Sequence, residues 1–270
     1  MFKYGITDKG DPAFERTVEE RLCECNIIIT KNISKVNDML LRNKEKCILH
    51  ATITGYGGTV LEPNVPTSEM SFKYMKNLID GGFPPNQIIL RVEPILQSSD
   101  GIKVSQNIIK ECIKHGNIKN MRFSYLTLYP HVRCRFEESK VEYNYLLDGE
   151  VYSNSFENWL AKLNYFESVT TCDVNSNFPA PCNIKHELIV LDVLEKYKEY
   201  DKGKTCETPN PNDRTCKYPP NKTELIRKDK QERCWHQCLY CYMNSRFDSI
   251  QFWGDETNST SIDLNCDKVQ

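Results

Sequence analysis

Up to about residue 200, short apolar runs rich in β-branched residues alternate with longer amphipathic stretches. That alternation favours repeated β-α units and a parallel sheet, because parallel strands need crossovers long enough to hold a helix. The pattern places strands at Phe2–Ile6, Asn26–Thr30, Cys47–Thr54, Gln87–Val92, Met121–Leu128 and Ser168–Cys172. It places helices at Pro12–Cys25, Ser34–Lys44, Thr67–Asp80, Val104–His115, Phe156–Phe166 and Ile184–Tyr200. The third helix carries the clearest signals: Thr67 to cap it, an apolar stripe of Phe72, Met75, Leu78 and Ile79, and Gly81-Gly82 to end it. From Asp201 to Glu232, Lys, Thr, Asn, Asp and four prolines replace this rhythm, which reads as a long loop or insertion at about 201–233.

Composition narrows the function classes. Lysine and arginine (35) nearly balance aspartate and glutamate (37), so no global positive field supports nucleic-acid binding. No stretch approaches the roughly 20 apolar residues of a membrane span. The opening MFKYGITDKGDPAFER turns polar within a few residues, unlike a secretory leader, and a reducing cytoplasm is the expected setting for the 13 cysteines. The sequons at Asn32, Asn221 and Asn258 are then chance matches.

The run Arg-Cys-Trp-His-Gln-Cys-Leu-Tyr-Cys-Tyr-Met-Asn sets Cys234, Cys238 and Cys241 within eight positions. Soft thiolates so close together suit one face of an iron–sulfur cluster, and three ligands on four irons leave one iron open to a small molecule. Two other readings stand beside it. One is a zinc site closed by His236, Cys206 or Cys216 that stabilises a binding module; the other is a cluster used only for electron transfer. Cys172 and Cys182 flank a proline-containing loop and read as isolated thiols, with a further metal as the alternative.

Further candidates lie where strands are expected to end. Gly55 and Gly57 follow a strand and allow backbone amides to approach a cofactor. Arg91 and Glu93 share one strand face and read either as a salt bridge or as cofactor ligands. Glu62 and Glu93 admit an acid–base pair, though nothing in their spacing demands one. Tyr125 and Tyr129 read as aromatic packing, His236 as a donor to sulfur or a surface residue, and His50, His115, His131 and His186 as structural.

The cysteine spacing, with Tyr240 just before the last thiol, resembles the cluster signature of radical S-adenosylmethionine enzymes. Thr52-Ile-Thr-Gly-Tyr-Gly through Leu61-Glu-Pro-Asn-Val-Pro66, Leu90-Arg-Val-Glu-Pro-Ile95 and Phe123-Ser-Tyr-Leu-Thr-Leu-Tyr129 resemble, in the same order, an uncharacterised domain-of-unknown-function family. That family carries its cysteine motif near the C-terminus and is grouped with spore photoproduct lyase and DNA repair photolyase relatives. Glu93 stands where the family often has Asp, and the long loop before the motif departs from its pattern.

The resemblance implies one domain over residues 1–270, a full or partial TIM-like (β/α) barrel with the motif loop at the C-terminal edge of the sheet. It implies that Cys234, Cys238 and Cys241 hold a 4Fe-4S cluster whose open iron binds S-adenosyl-L-methionine, with Tyr240 near the adenine. The expected activity is a radical enzyme acting on an unassigned substrate and served by a reductant such as flavodoxin or ferredoxin. The photolyase relatives suggest a DNA lesion as substrate, to which the charge balance adds nothing.

Overall fold

The structure, a computed structural model, describes residues 3–115, 117–139, 149–171, 173, 176–179, 185–193, 222–227, 234–243, 249–251 and 261–263. Seven parallel strands form its centre: β1 (Tyr4–Ile6), β2 (Cys25–Thr30), β3 (Cys47–Thr52), β4 (Ile88–Ile95), β5 (Asn120–Tyr125), β6 (Ser168–Thr171) and β7 (Lys222–Glu224). Their order is β6-β5-β4-β3-β2-β1-β7. From β1 to β6, neighbours in sequence are neighbours in the sheet, so every crossover steps the same way. A doubly wound sheet would instead reverse direction partway. A short antiparallel pair, β8 (Ser249–Gln251) and β9 (Ser261–Asp263), stands outside this sheet.

Side-chain alternation along each strand separates two faces. Leu49, Ala51, Leu90, Val92, Met121 and Phe123 pack with helices α1 (Ile33–Arg42), α2 (Ser68–Asp80), α3 (Ser99–His115) and α5 (Gly149–Leu163) in the main core. The opposite face is lined by Tyr4, Ile6, Cys25 and Ile27, which meet Leu191 and Val193 just beyond α6 (Lys185–Val190). On β3, β4 and β5 that second face carries His50, Arg91, Glu93 and Arg122. A third apolar cluster joins Tyr56, Leu61, Leu96, Leu126, Val132 and Phe136 to Cys238, Leu239 and Tyr240. It includes α4 (Pro130–Glu138) and lies past the strand ends, where the site is built.

All six strands expected from the sequence are present with shifted ends. Thr67 caps α2, accepting from Met70 N–H at 3.4 Å, and Gly82 ends the turn at φ 96°. The helix expected at Pro12–Cys25 is absent; two single 3₁₀ turns, Pro12–Phe14 and Glu19–Arg21, replace it. Asp11 caps the first turn through Ala13 N–H, and the chain leaves each turn extended, at Glu15 and at Leu22. The loop expected at 201–233 is corrected in part, since Lys222–Glu224 pairs with β1 as β7. Residues 194–221 and 228–233, with Cys206 and Cys216, lie outside the described residues, as do Cys172 and Cys182. No helix among the described residues is long and apolar enough to cross a membrane.

Candidate functional site

The cysteine run is an irregular loop clasped by the segments that follow β1, β2 and β3 and by α4. Cys241 N–H closes a turn onto Cys238 O at 2.9 Å, and Gln237 takes a left-handed φ of 51°. Leu239 N–H donates to Leu61 O at 2.9 Å, and Asn64 Nδ2 donates to Trp235 O at 2.9 Å. Arg135, on α4 and 2% exposed, donates from Nη2 to Cys241 O at 2.6 Å and from Nε to His131 O at 3.2 Å. Backbone groups of a buried loop need such partners, and here they come from the loop itself, the segment after β3 and α4.

His236 is buried inside the loop rather than on the surface. Its Nδ1 faces Asn64 O at 3.1 Å and its Nε2 faces the Asp11 carboxylate at 2.8 Å. Both partners are acceptors, so both ring nitrogens are placed to donate. Asp11 also accepts from Thr30 Oγ1 and Lys31 N–H, each at 2.7 Å. Burial pushes the Asp11 carboxyl up, but the charge and hydrogen bond of His236, with the hydrogen bonds from Lys31 N–H and Thr30, together hold the group below its ordinary value.

A second knot lies at Tyr240. Its hydroxyl donates to Glu62 Oε1, the oxygen that also takes Lys31 Nζ at 2.6 Å. Lys31 Nζ reaches Tyr240 Oη at 2.9 Å, and Thr54 Oγ1 donates to Glu62 Oε2 at 2.6 Å. Glu62 is 1% exposed, so its charge is compensated entirely from within. Tyr240 therefore has a packing and hydrogen-bonding role that stands without any ligand.

Each motif thiol lies within electrostatic reach of another: Cys234 feels Cys241, and Cys238 feels both Cys234 and Cys241. Burial pushes the Cys234 thiol up to about 12, with Asp11 adding to the rise and Lys31 opposing it. Burial pushes Cys238 well above the ordinary thiol value, with Lys31 opposing. Thiols so placed keep their protons until a soft metal takes the protons' place. Burial lowers the Arg135 guanidinium to about 10, while Cys241 and Cys238 work to raise it, so a second buried cation faces the same sulfurs. Among the described residues, no three Cys, His, Asp or Glu side chains converge as ligands of one metal ion.

Arg91 and Glu93 form a salt bridge, Nε to Oε2 at 2.5 Å, on the strand face shared with Arg122. Burial pushes the Glu93 carboxyl up, but Arg91, Arg122 and Ser124 together bring it down to about 2. The pair borders the motif, since Arg91 acts electrostatically on Lys31 and both residues act on Tyr242. Glu62 and Glu93 thus answer to different cations, the first to Lys31 and the second to Arg91. Gly55 and Gly57 do follow β3. A Cβ on Gly55, at φ 89°, would stand 2.4 Å from Val104 Cγ1, and one on Gly57 would stand 2.0 Å from Pro66 O. At both positions the chain itself fills the space a side chain would need.

Tyr125 packs in the core and donates to Ser153 O at 3.2 Å. Tyr129 is exposed and meets Tyr242 and His131 in a row of rings at the rim of the motif. His50 is buried with its Nε2 3.2 Å from Glu187 on α6. The side chain of His186 lies outside the described ones. Cys134, on α4, is disulfide-bonded, which corrects the expectation of reduced thiols throughout.

Sequence reasoning singled out the three cysteines and His236 but missed Asp11, Lys31, Asn64 and Arg135. One signal pointed to two of them: Lys31 falls directly after an expected strand and Asp11 in the loop that follows another, at the sheet edge where ligands gather. A family model described as Domain of unknown function (DUF1848) matches residues 9–243, and no curated protein matches the chain. That span runs from the loop holding Asp11 to the end of the cysteine motif, and the chain belongs to the DUF1848 family.

Proposed function

We propose that this protein is a radical S-adenosylmethionine enzyme built on a partial (β/α) barrel, with Cys234, Cys238 and Cys241 as ligands of a 4Fe-4S cluster. The observation that carries the reading is the enclosure of three mutually coupled thiols, with two buried cations, over the C-terminal ends of parallel strands. A cluster held by three thiolates is anionic, and Lys31 and Arg135 supply the compensating charge in a site that excludes water. The single winding direction from β1 to β6 fits a barrel.

When bound, the cluster and S-adenosyl-L-methionine together would supply radical chemistry able to take a hydrogen atom from a substrate. The chain's own part is to hold and orient. Tyr240 presents a ring whose hydroxyl is fixed by Glu62, and the Arg91–Glu93 ion pair beside the motif carries opposite charges that suit a ligand bearing both an ammonium and a carboxylate. Electrons come from an external donor of the flavodoxin or ferredoxin class. A cytoplasmic setting belongs to this proposal for the motif thiols, which are free in the structure, with the Cys134 disulfide standing apart from them.

The test is anaerobic. Purified protein is expected to be brown, to contain iron and sulfide, and to form deoxyadenosine from S-adenosyl-L-methionine once dithionite is added. Cys238→Ser should lose colour and iron together. A colourless protein with stoichiometric zinc, or a cluster that leaves S-adenosyl-L-methionine intact, would overturn the reading.

A further inference from the structure

Lys31 holds the cysteine loop at two points with one residue. Its backbone N–H donates to the Asp11 oxygen that faces His236, between the first two cysteines. Its ammonium reaches Glu62 and Tyr240, just before the last cysteine, and lies 5.4 Å from the Tyr240 ring centroid. The side chain is only 16% exposed. Stability alone is a weak reason for such an arrangement, because a buried ion pair gains little over apolar packing of the same shape. An ammonium beside buried thiols does have a use: it favours any state of the site that carries more negative charge. Tyr240, whose hydroxyl lies 2.9 Å from that ammonium, sits between Cys238 and Cys241 in the loop.

Resting on the cluster reading above, we propose that Lys31 sets the reduction potential of the cluster, with Glu62 as the opposing charge that moderates it. One-electron reduction by dithionite adds a negative charge to the cluster. The Lys31 ammonium stabilises the reduced form and the Glu62 carboxylate destabilises it, each strongly because the surroundings are of low dielectric. Both are positioning residues, acting on the metal through space and through Tyr240.

The experiment is a redox titration of anaerobically reconstituted protein at mildly alkaline pH, followed by the electron paramagnetic resonance signal of the reduced cluster. Glu62→Gln should move the midpoint to more positive potential and Lys31→Met to more negative. The double variant should return towards the unaltered protein, and Lys31→Arg, which keeps the charge, should stay close to it. A purely structural role predicts no opposition of sign, so equal potentials or shifts in one shared direction overturn the proposal. Where Lys31→Met fails to fold, the near-isosteric Glu62→Gln decides alone: an upward shift supports the proposal and an unmoved midpoint sinks it. Iron analysis beforehand separates the two levels. Absence of a cluster in the unaltered protein removes the functional reading and this inference with it, while a cluster with unmoved potentials removes only the inference.

Discussion

His50 and Glu187 show how one buried pair ties stability to pH. Burial lowers the His50 imidazole to about 4, and Arg122 adds to the fall while the Glu187 contact resists it. Burial pushes the Glu187 carboxyl up, but His50 and Arg122 outweigh it and hold it to about 2. The consistent state is a neutral imidazole beside a carboxylate balanced by Arg122, 3.7 Å away. An unfolded chain protonates His50 below about 6.5 while the folded chain does not, so stability falls as pH drops from there towards 4. The loss should reach the order of a few kcal/mol, and thermal denaturation across this window should show it. His50→Gln should flatten that slope. The Glu187 contribution belongs to a lower window, present above about 4.5 and lost as pH falls towards 2. None of this was readable from the sequence, where His50 showed no ligand spacing. The cysteine motif was readable because its meaning lies within eight positions. Glu62 was considered only alongside Glu93, and Lys31 not at all, since what defines each is a partner distant in the chain.

Elements follow the same division. Thr67→Ala should cost about 1 kcal/mol by removing the cap of α2, measured by urea denaturation, because the hydroxyl holds an otherwise free N–H. Gly57→Ala should cost about 1–3 kcal/mol, since its Cβ would collide with the Pro66 carbonyl, which is backbone and yields poorly. The same change should loosen the cysteine loop, because Gly57 and Glu62 bridge within the segment that receives Leu239. Strands β2 and β3 were legible because they are buried on both faces and read as mostly apolar runs, and β4 and β5 because buried apolar residues recur along them between half-buried polar ones. The Pro12–Cys25 region misled because scattered apolar residues there imitate helical spacing, while Asp11 and Pro12 commit the chain to a tight turn. Helix α4 went unread because Tyr129-Pro130 looks like the end of a strand, although proline suits a helix's first position. Strand β7, Lys-Thr-Glu, carries no apolar signal and exists through its pairing with β1.

At the scale of the whole molecule, the segment after residue 221 returns to the strand that began the fold. Leu225 donates its N–H to Ile6 O at 2.8 Å and buries its side chain completely in the main core. Leu225→Ala should cost about 2–5 kcal/mol in a denaturant titration and, on the cluster reading proposed above, should lower the iron content of the purified protein, since Leu225 anchors the stretch that leads into the motif. The bond between Asp11 and His236 spans 225 positions. A grip of that reach has a consequence for biogenesis: a growing polypeptide cannot close the loop that carries its three clustered thiols until residue 241 has left the ribosome. On the cluster reading proposed above, loading of those thiols is therefore a late event, with only the final latch left to set once the sheet has formed.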